Sequence, residues 1–233
     1  MNSILDIIVS PVKTFNQLKT EEKFPVTPLV ILLALTVVYT ILMIPVSAKI
    51  VDLSLSKMTL PDKQMDMVIQ VAHAMRYLSV ISGIITYAAM LFLQALILFV
   101  IALLFKTKLG YIKALRLIIY CSIVLVIGEL VNIALLYFKG IDNIENMYDI
   151  VLTGANLLTS VDRAGVALYL FLSYLNPFQL WFVVLLILGV KLFTDSGWAK
   201  PIVICIIYWL IVTLFPVLTA YFSQAAMASK GLM

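Results

Sequence analysis

The stretch "NPFQLWFVVLLILGVKLF", residues 176–193, decides how this chain is read. Its last two thirds would be at rest only in lipid or in a deep core. Yet it opens on Asn-Pro, carries Gln179, and has Gly189 and Lys191 near its end. Read backwards, apolar sequence reaches Gly165, about 29 residues or ~43 Å of helix, too long for one untilted span. Pro177 has no amide hydrogen and its ring would clash with the carbonyl four residues back, so the break falls there. Asn176 as N-cap, Pro177 as first helical residue and Gln179 as third match known positional preferences, and Gln179 can reach back as in a capping box. A span then begins at Asn176, and residues 164–175 form a separate apolar helix on or just inside the outer face. The competing reading makes Asn176, Pro177 and Gln179 an intramembrane binding site. The helix-start reading explains the polar residues without a ligand and is preferred.

Composition places the rest of the chain around that span. Of 233 residues, 64% are hydrophobic and 12% charged, against about 25% charged in a soluble domain. The expected fold is all-α: a polytopic membrane protein with five transmembrane helices and short interfacial helices. Crossing ~30 Å of hydrocarbon takes roughly 20 apolar residues, and segments 28–48, 78–105, 115–138, 176–193 and 198–222 qualify. A cytoplasmic interfacial segment (1–27), a five-helix membrane domain (28–222) and an external tail (223–233) follow, with no soluble catalytic domain. The start of the chain has no basic region before its apolar run and does not read as a cleavable signal. Cys121 and Cys205 both fall in apolar runs and read as packing residues.

Lys and Arg in short connections favour the cytoplasmic side. The link between spans two and three holds Lys106, Lys108, Lys113 and Arg116 without an acid. The loop after span three carries Asp142, Glu145, Asp149 and Asp162 against Lys139 and Arg163. This gives a cytoplasmic N-terminus and an external C-terminus, although Lys49, Lys57, Lys63 and Arg76 fit the first external loop less well. The connections also read as helical. Pro61 opens one, with Met65, Val68, Ile69 and Ala72 on one face. Asp142 and Glu145 open another as a capping box. At the N-terminus, Ser10-Pro11 starts a helix with Val12, Phe15 and Leu18 as its stripe, which either lies in the interface or packs on the other helices.

Glu129, near the middle of span three, is the most expensive residue: a carboxylate at the bilayer centre costs ~2.5 kcal/mol or more unless paired, protonated or wetted. Asn132 lies one turn on, and Gly128 allows close helix approach. Glu129, Asn132 and Gln94 in span two form the candidate intramembrane polar site. The preferred reading of Glu129 is a hydrogen-bonded lock between helices; the alternative is a polar cavity or proton path. Gln94 reads as an interhelical hydrogen-bond partner. Lys106, Lys108, Lys113 and Arg116 are a candidate contact for anionic lipid or a partner's acidic surface, unless they only obey the charge rule. Lys191 reads as a snorkelling residue, and Tyr111 and Trp198 as interface anchors. Gln94 precedes Lys106 by twelve residues, as Gln179 precedes Lys191, an echo that either two parallel hairpins or chance would give, since the spacing after each Lys differs by two residues. The single histidine, His73, has no second ligand at helical spacing, and no nucleophile elbow, phosphate loop or Cys pair occurs. No enzyme activity, metal, cofactor or nucleic-acid partner is expected.

Several of these residues also carry a family resemblance. Asn176-Pro177-Phe178, Trp181, "LLILG" to Gly189, and Gly197 and Ala199 before the last span resemble the signature of the Yip family, the five-span domain named for Ypt/Rab-interacting proteins. "SPVKTF" at residues 10–15, "LPDKQMDM" before span two and "LGYIKALRLIIY" at residues 109–120 resemble further family segments, in the same order along the chain. The resemblance implies five spans, a cytoplasmic N-terminus, and membrane organisation or trafficking rather than catalysis. Eukaryotic members have a long N-terminal region where about 27 residues stand here, which favours a prokaryotic member in the cytoplasmic membrane and counts against carrying Rab binding over to this chain. The expected function is non-enzymatic binding of membrane lipids or other integral membrane proteins, as an accessory or membrane-organising subunit, with a homo-oligomer allowed. The alternative is a small oligomeric transporter or channel using Glu129.

Overall fold

The computed structural model describes residues 6–21, 23–56, 62–145, 148 and 150–229, with most side chains of 62–80 and those beyond 222 outside the description. Among the described residues the chain is all-α. Its helices are α1 (Asp6–Val9), α2 (Pro11–Thr20), α3 (Val26–Leu42), α4 (Ile44–Ser56), α5 (Asp62–Leu104), α6 (Tyr111–Lys139), α7 (Val161–Ser173), α8 (Pro177–Thr194) and α9 (Ala199–Ser229). Two 3-10 turns, Ile141–Asn143 and Ala155–Leu158, lie between α6 and α7.

Four described helices are long and apolar enough to cross a membrane: Ile81–Leu104 within α5, all of α6, all of α8, and Ala199–Phe222 within α9. The bent pair α3–α4 makes a fifth if it counts as one span. Its two halves meet at 46° around Met43, just ahead of Pro45. Proline there cannot donate to the Ile41 carbonyl and its ring crowds it, so a straight helix through 28–48 is excluded. The expected first span, 28–48, is thus two helices bent at Met43 and not one continuous helix.

α6 is the axis. In its most apolar window 61% of residues are buried, against 28–33% in the other three spans. α8, α5 and α3 pack around it, with α9 against α8, α7 and α5. Two glycines set the α6–α8 distance. A Cβ on Gly128 would stand 2.6 Å from Cγ of Phe178, and one on Gly189 would stand 2.5 Å from Cδ2 of Leu117. The two contacts lie at opposite ends of an antiparallel pair, so α8 starts beside Gly128 and Glu129 and ends near the start of α6.

Other expectations needed revision. The helix before span two is no separate element but the first part of α5, because no Pro or Gly interrupts residues 62–82. Pro61 and Asp149 lie outside the described residues, as do the side chains of Met65, Ile69, Ala72 and His73. The capping-box helix from Asp142 is absent: a 3-10 turn ends at Asn143, and Ile144 and Glu145 are non-helical. Side-chain amides satisfy this backbone instead. Asn132 donates to the Ile150 carbonyl (2.8 Å) and accepts from the Leu152 amide (2.7 Å). Asn156 donates to Val151 and to the Tyr169 hydroxyl. α7 covers the expected apolar helix, with a break at Gly165, whose φ of 73° suits glycine.

At the other end of the bundle, α2 docks onto α8 and does not lie free in the interface. Phe15 and Leu18 are buried, Phe15 meeting Phe193 edge-on at 6.3 Å, while Val12 of the expected stripe is exposed. Lys19 pairs with Asp195 at 2.6 Å. Lys191 stands 3.6 Å over the Trp198 ring, a cation–π contact at the end of α8.

Candidate functional site

α8 is shorter than α6 by eleven residues. At 1.5 Å per residue it is ~27 Å long, a little less than the hydrocarbon core. Its N-terminus therefore stops at the level of Glu129, and the space beyond it is roofed by α7 and by residues 151–153. Asn176 opens α8 from an extended conformation, its Oδ1 accepting from the Gln179 amide at 2.9 Å and its Nδ2 donating to the Ser173 carbonyl at 3.0 Å. The side chain thus caps α8 and ties it to the end of α7.

Where α8 stops, a cavity of about 260 Å³ remains, lined by Glu129, Asn132, Thr153, Tyr174, Asn176 and Gln179 together with apolar residues. Residues from two separate sequence segments, Glu129/Asn132 on α6 and Asn176/Gln179 at the start of α8, thus meet at one place. Glu129 lines this cavity, its side chain open to it. The Tyr39 phenol of α3 lies close enough to its carboxyl for the two to interact. Among the described residues no Lys or Arg pairs with it, and the Lys19–Asp195 ion pair lies at the far end of the bundle. Burial pushes the Tyr174 phenol above its usual range, the Glu129 charge adding to the effect. Asn132, 7% exposed, holds the Ile150–Leu152 backbone with both ends of its amide and serves as the cavity's wall.

A second cavity, about 540 Å³ and mostly apolar, runs between α5 and α9. Met90, Leu93, Ile97, Ile211, Val212 and Phe215 line it, and Gln94 and Gln179 are among its few polar groups. Gln94 accepts from the Tyr208 hydroxyl at 3.2 Å, joining α5 to α9. The two cavities share Leu125, Tyr174, Gln179 and Pro216. Pro216 lies inside α9 and removes the bond that would bind the Val212 carbonyl, so the helix is locally loosened beside both cavities. Sequence reasoning did not identify Tyr39, Tyr174 or Pro216; a proline inside an apolar span was the one legible signal among them.

The basic link is divided by the fold. Lys106 and Lys108 are exposed and Lys113 is half-buried. Arg116 is 1% exposed and donates to the carbonyls of Leu18 (2.9 Å), Glu21 (2.5 Å) and Lys23 (2.6 Å). This takes Arg116 out of the candidate lipid contact: the guanidinium binds the end of α2, where helix carbonyls run out of amide partners. Lys106 ends α5 in the left-handed region, with φ 52°. Among the described residues no group of His, Cys, Asp and Glu could hold a metal ion.

A helical bundle with four or five apolar spans and a polar cavity between them defines a polytopic integral membrane protein. Residues 5–220 match the Yip1 domain family model, and the chain belongs to that family. It matches no curated protein and no solved structure at a significant level.

Proposed function

We propose that this chain is a non-enzymatic membrane protein that binds another membrane component, a lipid or an integral membrane partner, in a membrane-organising or accessory role. The observation that carries the reading is the lateral cavity between α5 and α9. It is largely apolar, and Leu93, Ile211 and Phe215 on its walls are exposed. An apolar recess on a span surface holds an acyl chain or a partner's side chains, whereas turnover needs an arrangement of nucleophile, base and oxyanion donors. Membership of the Yip1 domain family agrees with a membrane-associated, trafficking-type role. The setting we propose is a prokaryotic cytoplasmic membrane with the N-terminus inside and the C-terminus outside.

Glu129 favours a second reading, a small transporter or channel, because its carboxyl lines a cavity without a paired cation. Purified protein in sealed vesicles under a pH gradient separates the two. The binding reading predicts proton flux equal to that of empty vesicles. Flux above that level, abolished by Glu129→Gln, would establish the transporter instead.

A further inference from the structure

Resting on the binding reading, we propose that the two joined cavities form one site for a zwitterionic lipid with a primary ammonium headgroup, of the phosphatidylethanolamine type. The polar cavity takes the headgroup and the α5–α9 groove takes an acyl chain.

Three observations converge on this occupant. The first is charge. Glu129 offers a carboxylate to the cavity, and among the described residues no cation answers it. An ammonium that donates hydrogen bonds is the natural complement, and charge-assisted bonds of this kind are the strong ones. The second is the opposite pole. α8 begins in the same cavity; Pro177 brings no amide hydrogen and Asn176 takes the Gln179 amide, which leaves the Phe178 amide and the partial positive charge of the helix end to favour a phosphate. The Gln179 side chain lines both cavities there and its amide hydrogens can donate to the same phosphate. An acid and a helix N-terminus in one polar cavity suit a zwitterion better than an anion, which Glu129 would repel.

The third observation is depth. Glu129 lies 18 residues along α6 from Tyr111, about 27 Å, and Gln179 lies 15 residues back from Thr194, ~22 Å from that end of α8. Both therefore sit toward one face of the membrane. In the groove, Ile97 lies only seven residues, about 10 Å, from the end of α5 at Leu104, so the groove runs back through the bilayer centre. Headgroup near one face and chain toward the middle is the posture of a lipid in that leaflet. The joint between the cavities at Gln179 and Tyr174 sits where the glycerol would lie. A choline headgroup, with methyls in place of N–H, could not donate to Glu129.

The test is native mass spectrometry of the purified full chain, equilibrated with equal amounts of phosphatidylethanolamine, phosphatidylcholine and phosphatidylglycerol of matched chains. The expected result is retention of the ethanolamine lipid by about tenfold or more over both others. Glu129→Gln removes the preference while chain binding persists, and Leu93→Trp, which fills the groove, lowers retention of all three lipids. Thermal midpoints of both variants report folding. Should Glu129→Gln fail to fold, Gln179→Leu, which withdraws the phosphate contact, serves in its place with the same expected loss of preference. Equal retention of the three headgroups by the wild type, or a preference that survives Glu129→Gln, overturns the lipid proposal. Its failure leaves the wider binding reading intact, because that reading falls to Glu129-dependent flux or to a groove that holds only bulk lipid, and not to the loss of a headgroup preference.

Discussion

Replacing Arg116 with Met would free α2 from the bundle while leaving the spans in place. The guanidinium reaches three carbonyls at the end of α2 and just beyond it, at 2.5–2.9 Å. The Leu18 carbonyl keeps a bond from the Glu21 amide (3.3 Å). Glu21 and Lys23 are exposed, so water can answer their carbonyls. The gross loss of three charge-assisted bonds, at about 1.5–3 kcal/mol each, is therefore reduced by this replacement and by relief of burying the charge. A net cost of about 2–4 kcal/mol to α2 docking remains, or roughly 30- to 1000-fold in its opening equilibrium. Hydrogen exchange read by mass spectrometry over residues 11–20 measures that directly. Exchange should accelerate by such a factor in α2, while α6 and α8 below it stay protected. Arg116→Lys should fall between, since one ammonium cannot span three carbonyls as a planar fork does. Exchange in α2 within about twofold of wild type would refute the clamp.

Gly128→Ala should cost about 1–3 kcal/mol in detergent unfolding, because the new methyl would stand 2.6–2.9 Å from three atoms of Phe178; an unchanged midpoint would mean that α6 and α8 do not meet there. Asn176→Ala should lose about 1–2 kcal/mol by removing both the α8 cap and the bond to the Ser173 carbonyl, and Asn176→Asp, which keeps the cap acceptor but not the donor, should recover only part of it, both read from the same unfolding curves. Lys106→Gly should stabilise by about 0.5–1 kcal/mol, since its left-handed backbone suits glycine. Neutralising Asp195 as Asn should change stability by less than about 0.5 kcal/mol, its pair with Lys19 being open to solvent at 76% and 31% exposure.

The spans were legible because the bilayer imposes a length and a composition that short-range reading can match. The start of α8 was legible for a different reason: Asn176 and Pro177 act within three residues, and capping is local chemistry. What failed depended on distant partners. The loop after α6 read as a helix because Asp142 and Glu145 fit a cap, but Asn132 and Asn156 hold its backbone from elsewhere in the fold. Arg116 read as a surface charge because positive-inside statistics cannot see that the end of α2 needs a donor. Glu129, Asn132, Asn176 and Gln179 were each singled out, yet their meeting in one cavity follows from the shortness of α8 and the two glycine contacts. Val12 misled because a helical stripe gives the facing side only to within a residue or two.

The claim that the α5–α9 groove holds a membrane component is tested most directly by photo-cross-linking from inside it. A benzophenone side chain in place of Phe215, which lines the groove, is compared with one in place of Ile85, an exposed apolar position of α5 outside it. Irradiation in native membranes followed by intact-mass measurement should give one dominant adduct of defined mass at position 215 and only diffuse lipid adducts at 85. The same diffuse pattern at both positions would contradict the account, because the groove would then hold nothing beyond bulk lipid.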